Sequence, residues 1–70
     1  MSVARVVEIS STSPKSFEDA IVQGIDRANK TLRHVKSAWV KEQAAEVNNG
    51  KITAFKVNMN VTFVLDGQPE

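Results

Sequence analysis

Seventy residues, 41% of them apolar and none of them cysteine, suffice for one small folded domain spanning residues 1–70 and exclude disulfides as its support. Nine Lys and Arg against eight Asp and Glu leave a net charge of +1, without the basic excess of a nucleic-acid binder. No apolar run reaches the ~18 residues of a membrane span, and Met1 to Ser10 lacks the basic and apolar regions of a signal peptide, so a cytoplasmic protein with neither membrane nor nucleic acid as partner is expected.

Val3 to Ile9 is a short β-branched run and predicts a first strand, followed by a polar loop over Ser10 to Ser13. A helix should follow, with Ser13 as N-cap and Pro14 at its first position; Ser16, three residues before Asp19, is an alternative cap that starts the helix later. Phe17, Ala20, Ile21, Gly24, Ile25, Ala28 and Leu32 recur at three-and-four spacing and form one apolar stripe. Glu18 and Asp19 near the start, and Lys30, Arg33 and His34 near the end, complement the helix dipole. Between His34 and Val47 one parity carries Ala38 and Val40, and the other carries Ser37, Trp39, Lys41 and Gln43, a polar row with one large aromatic placed on the side away from the helix. Asn48-Asn49-Gly50 supplies the positive φ angles of a tight hairpin turn. From Thr53 the alternation is strict, with Phe55, Val57, Met59, Val61, Phe63 and Leu65 on one side and Lys56, Asn58, Asn60 and Thr62 on the other.

The fold class is therefore α+β, in the order β-α-β-β: a three-stranded antiparallel sheet packed on one helix. One helix covers one face of such a sheet and leaves the other for a second subunit. A chain this short buries only about 60% of the surface exposed on unfolding, so self-assembly is also its expected source of stability.

The Val6-Val7-Glu8-Ile9 run with Thr12-Ser13, then Ser16, Phe17, Ala20 and Arg27-Ala28, and the closing Val61-Thr62-Phe63-Val64-Leu65 resemble the dodecins over almost the whole chain. That resemblance implies a hollow homododecamer of tetrahedral symmetry that binds riboflavin or FMN without acting on it, for storage or quenching. In the best-known members a Trp early in the second strand stacks on the isoalloxazine, and a Gln in the third strand bonds the ring edge. Aligned without gaps from Thr31-Leu32-Arg33-His34-Val35, the stacking position holds Ser37 and the Gln position holds Lys56, while Ala44 stands where many bacterial members have Arg. Trp39 lies two residues beyond Ser37, on the same face but roughly 6.6 Å away at about 3.3 Å per residue. The Met1-Ser2-Val3 start, Thr12-Ser13-Pro14, Glu42-Gln43 and Gly50-Lys51-Ile52-Thr53 are similar to a subgroup, the calcium dodecins, which also lack the stacking Trp.

The residues that the resemblance and the patterning single out for flavin contact are Ser37, Trp39, Gln43 and Lys56. Trp39 suits a subunit interface better than a stacked ligand, and Lys56 equally suits a solvated surface or a phosphate or carboxylate partner. Calcium prefers six to eight oxygens, and the scattered carboxylates Glu8, Glu18, Asp19, Asp26, Glu42 and Glu46 supply them only if subunits pool them around an axis, with Glu8 and Glu46 as candidates. With no Cys or Tyr, a single His and no Gly-rich phosphate loop, an enzyme is not expected.

Overall fold

A computed structural model describes residues 3–65; Met1 and Ser2 of the Met1-Ser2-Val3 start lie outside them. Strand β1 (Ala4–Ser13) leads into helix α1 (Phe17–Thr31), and β2 (Val35–Asn48) and β3 (Lys51–Val64) form a long hairpin. The sheet order is β1-β3-β2, antiparallel throughout, so the alternating C-terminal strand is central. The β-α-β-β order and the one-helix, three-strand architecture agree with the sequence.

The hairpin turn forms as its residues require: Asn49 has φ 54° and Gly50 φ 76°, positive at both central positions between the paired Asn48 and Lys51. His34, with φ 62°, makes the reversal between α1 and β2.

Two expectations near the helix entry need correction. Ser13 is not the N-cap. The cap is Ser16, whose Oγ accepts from the Asp19 backbone N–H at 2.9 Å, so Pro14 and Lys15 fall in the connection. Buried Ser13 ends β1, where its hydroxyl donates to Asp19 Oδ2 at 2.5 Å and accepts from the Lys15 N–H at 3.0 Å. Nor do Ser10 to Ser13 form a loop: they continue β1 and pair with Asn58, Val57, Lys56 and Phe55. Pairing along a central strand satisfies their backbone groups, and this outweighs the weak strand preference of serine.

The small side chains there serve packing. Ala20, Gly24 and Ala28 form the buried line of α1, and Ala20, Val57 and Met59 form the core, with Phe17, Ile21, Ile25, Ile9 and Val40 packed around them. Phe17 meets Phe55 edge to face, with ring centroids 5.1 Å apart. A Cβ placed on Gly24 would lie 2.7 Å from Met59 Cε and 3.0 Å from Ser11 Cβ, so glycine and serine together let the helix approach the sheet closely.

The side of the sheet away from α1 is uncovered among the described residues, and every residue from Lys41 to Thr53 is exposed. The molecule measures 51 × 19 × 14 Å, and its radius of gyration of 14.2 Å exceeds the ~11 Å of a compact chain of this length.

Gly24→Ala tests the close approach. Helix propensity favours alanine by about 1 kcal/mol, whereas overpacking a filled core costs about 1–3 kcal/mol. Met59 is fully buried and has little room to yield, so a net loss of about 1 kcal/mol is expected. Thermal unfolding at one protein concentration should show a Tm lower by about 4–8 °C; an equal or higher Tm would contradict this packing.

Candidate functional site on the outer sheet face

The outer face is set by pairing on β3. Glu8, Ser10 and Thr12 of β1 stand opposite Asn60, Asn58 and Lys56. From β2, Ser37 stands opposite Thr62, Trp39 opposite Asn60, Glu42 opposite Asn58 and Ala44 opposite Lys56. Directly opposed residues point to the same side, so Ser37, Trp39 and Lys56 share one face, with Trp39 away from the helix as expected.

Gln43 departs from the expected row. The register shifts between Val35 and Ser37 and again between Val40 and Glu42. The second shift inserts Lys41 as an extra residue, after which Gln43 stands opposite Val57 on the helix side of the sheet. It still borders a hollow beside Lys56, from the exposed edge strand. Strict alternation put Gln43 with Trp39; an added residue reverses the parity of every later position in the strand.

Trp39 is 50% exposed, a large amphipathic surface on a polar face. Around it the polar groups are tied down. Lys41 Nζ reaches Glu8 Oε1 at 3.4 Å across the central strand, and Asn58 Nδ2 donates to Glu42 Oε1 at 2.9 Å. The Lys41–Glu8 pair is about half exposed on both sides, so solvent screening leaves it worth at most about 1 kcal/mol.

Below the Asn58–Glu42 bond the face opens into this hollow, of about 400 Å³, lined by Glu42, Gln43, Ala44, Lys56 and Asn58. It exists because Ala44 is short beside Lys56. Asn60, which is opposite Trp39, lies four steps along β3 from Lys56, so the hollow and the indole lie roughly 13 Å apart at about 3.3 Å per residue.

Asn58 and its bond to Glu42 were not singled out from the sequence. The available signal was the alternation that puts Asn58 on the Lys56 face; the pairing with Glu42 depends on the Lys41 bulge. The candidate calcium residues do not gather: Glu8, Glu42 and Glu46 stand at the levels of Asn60, Asn58 and Ala54, and the described residues contain no group of three or more His, Cys, Asp or Glu arranged for a metal. At the helix end Lys30 lies 3.8 Å from Asp26, both well exposed. No described helix is long and apolar enough to cross a membrane.

Comparison with known proteins bears on the whole of this architecture. The dodecin family profile matches residues 3–66. The calcium dodecin of Mycobacterium tuberculosis is 38% identical over 64 residues, covering 90% of this chain and 89% of that one. Its crystal structure, described as having a novel calcium-binding site, superposes with a TM-score of 0.80 at 34% identity over 99% of this chain and 100% of that one. The dodecin of Streptomyces davaonensis superposes with a TM-score of 0.89 at 38% identity, over 93% of this chain and 96% of that one. With its β-α-β-β fold and near-complete coverage, the chain belongs to the dodecin family.

Proposed function

We propose that this chain, as a single domain, forms a non-catalytic homododecameric shell in the cytoplasm that binds and stores a small ligand on the outer face of its sheet, with the family ligand flavin, as FMN or riboflavin, in first place. The observation that carries the reading is the half-exposed Trp39 above a hollow of about 400 Å³, on a sheet face that the chain's own helix leaves open. A planar ring would stack on the indole. The amides of Asn58 and Gln43 and the ammonium of Lys56 would supply hydrogen bonds below it.

Ser37 alters the geometry within this reading. It shares the outer face with Trp39 but offers no aromatic surface, so a flavin must seat further along β2, over Trp39. Storage needs no bond-making group, only contacts that hold the ligand.

A second reading, calcium binding, has a specific observation in its favour. Glu8, Glu42 and Glu46 all face outward, and the Mycobacterium tuberculosis relative is a calcium dodecin. Three carboxylates spread along one face would form an oxygen-rich site only where copies meet around an axis.

The deciding experiment confirms by light scattering the mass of twelve 7.7 kDa chains and then titrates the oligomer with FMN and riboflavin, following flavin fluorescence. Saturable quenching is expected, and Trp39→Ala should weaken it about tenfold or more with the mass unchanged, since a buried stack contributes about 0.5–1.5 kcal/mol beyond its area. Undiminished binding by that variant would remove Trp39 as the platform, and loss of the dodecamer would make the indole a subunit contact.

Ser37→Trp provides the converse. An aromatic at this position should tighten flavin binding in the same titration; weaker binding would show that the site has moved. If instead flavin does not bind and a chelator lowers the thermal midpoint in a way that added calcium restores, the calcium reading replaces the flavin one.

A further inference from the structure

Lys56 is half-buried, whereas the other five lysines lie at exposed positions. It sits at the centre of the sheet, between Thr12 on β1 and Ala44 on β2. Lys30 reaches Asp26 and Lys41 reaches Glu8, but Lys56 has no ion pair or hydrogen bond among the described residues. The neighbouring carboxylate, Glu42, is held by the Asn58 amide instead. An ammonium that is partly withdrawn from water without a counter-charge is an electrostatic demand the subunit leaves unmet. The demand opens into the hollow, where the Thr12 hydroxyl and the Asn58 and Gln43 amides are the neighbouring neutral groups able to donate to oxygen.

We infer that Lys56 is an anion anchor, so that the ligand of the outer face carries a phosphate or carboxylate on the end away from its ring. The inference rests on the ligand-binding reading above and adds a class to it: among flavins it selects the phosphorylated form. Lysine serves phosphate as a compact point charge. Its separation from Trp39 of roughly 13 Å along the sheet suits a ligand whose planar part and charged end are joined by a short chain. The neutral Ala44 beside it leaves room for the anionic group and adds no second cation, so one ammonium carries the selectivity.

FMN and riboflavin share a ring and differ by a phosphate, so comparing them isolates the anchor. The wild-type oligomer should bind FMN about tenfold more tightly than riboflavin, the scale of one charge-assisted hydrogen bond. The advantage should shrink as salt is raised. Lys56→Gln should bring the two affinities together by weakening FMN alone. Equal affinities in the wild type, or an FMN preference that survives Lys56→Gln, would overturn the inference. So would a fall in mass by light scattering for Lys56→Gln, which would assign the ammonium to a neighbouring subunit. If neither flavin binds, the flavin reading fails by itself, and inorganic phosphate decides the anchor: it should slow acetylation of Lys56 relative to exposed Lys51, read by mass spectrometry, and an unchanged ratio would overturn the assignment.

Discussion

The close contact between α1 and the central strand governs how this subunit divides its surfaces. Ala20, Gly24 and Ala28 bring the helix axis down onto Val57 and Met59, while the small Ser11 keeps β1 from obstructing the approach. Small residues on both sides let a single helix seal the middle of the sheet. That helix has 15 residues and is about 22 Å long, whereas the 14-residue β3 is about 46 Å long. Half of the hairpin therefore extends beyond anything the helix can cover.

The consequence is a subunit that is closely packed in its core and incomplete at its surface. Its accessible area of 5008 Å² exceeds the roughly 4,300 Å² that surface scaling gives for a 7.7 kDa chain. The apolar part of that area is distributed along the molecule: Trp39 in the middle of the outer face, Val47 paired with Ile52 beside the hairpin turn, and Val22 on the outside of the helix. Isolated exposed apolar residues are ordinary. Their occurrence on a projecting hairpin of a chain too short to bury a large core is the physical case for assembly, and the family relationship points the same way. The bulges of β2 belong to this picture too, because an irregular edge strand resists indiscriminate pairing with other chains.

The features legible in the sequence came from short-range rules. The helix stripe, the Asn49-Gly50 turn and the alternation of β3 each depend on residues within a few positions of one another, and each appears in the structure, the stripe and the alternation except at their far ends: Leu32 caps α1 from outside it, and Leu65 is exposed past the end of β3 while Val64 is buried. The features it concealed depended on pairing across the sheet. Ser10 to Ser13 look like a loop until β3 is laid beside them, and Ser13 looks like a cap until its hydroxyl is seen bonded to Asp19. Gln43 changes side because Lys41 is an extra residue opposite no partner, a fact of register that composition does not encode. Of the four residues singled out, Ser37, Trp39 and Lys56 were placed by alternation on the face where they are found, whereas the Asn58–Glu42 bond needed the bulge to be known first.

Family membership fixes the scaffold more firmly than the ligand. The strands present the same outer face whatever residues occupy it, so contacts can be exchanged with little cost to the fold. In this chain the exchanges run in one direction. A position that stacks a ring in other members holds the small Ser37, with the aromatic surface two residues further along at Trp39. Where the resemblance implies a neutral amide the chain has the ammonium of Lys56, and where it implies an arginine nearby the chain has the uncharged Ala44. Relative to the pattern that the resemblance implies, one cation is lost at the edge strand and one gained on the central strand, where β1 and β2 flank it and leave it only partly exposed. Moving a charge from an exposed to a partly buried place strengthens its interactions, because the local dielectric falls. It also makes the charge harder to leave without a partner, which is the physical ground on which the proposed ligand reading rests its anion anchor.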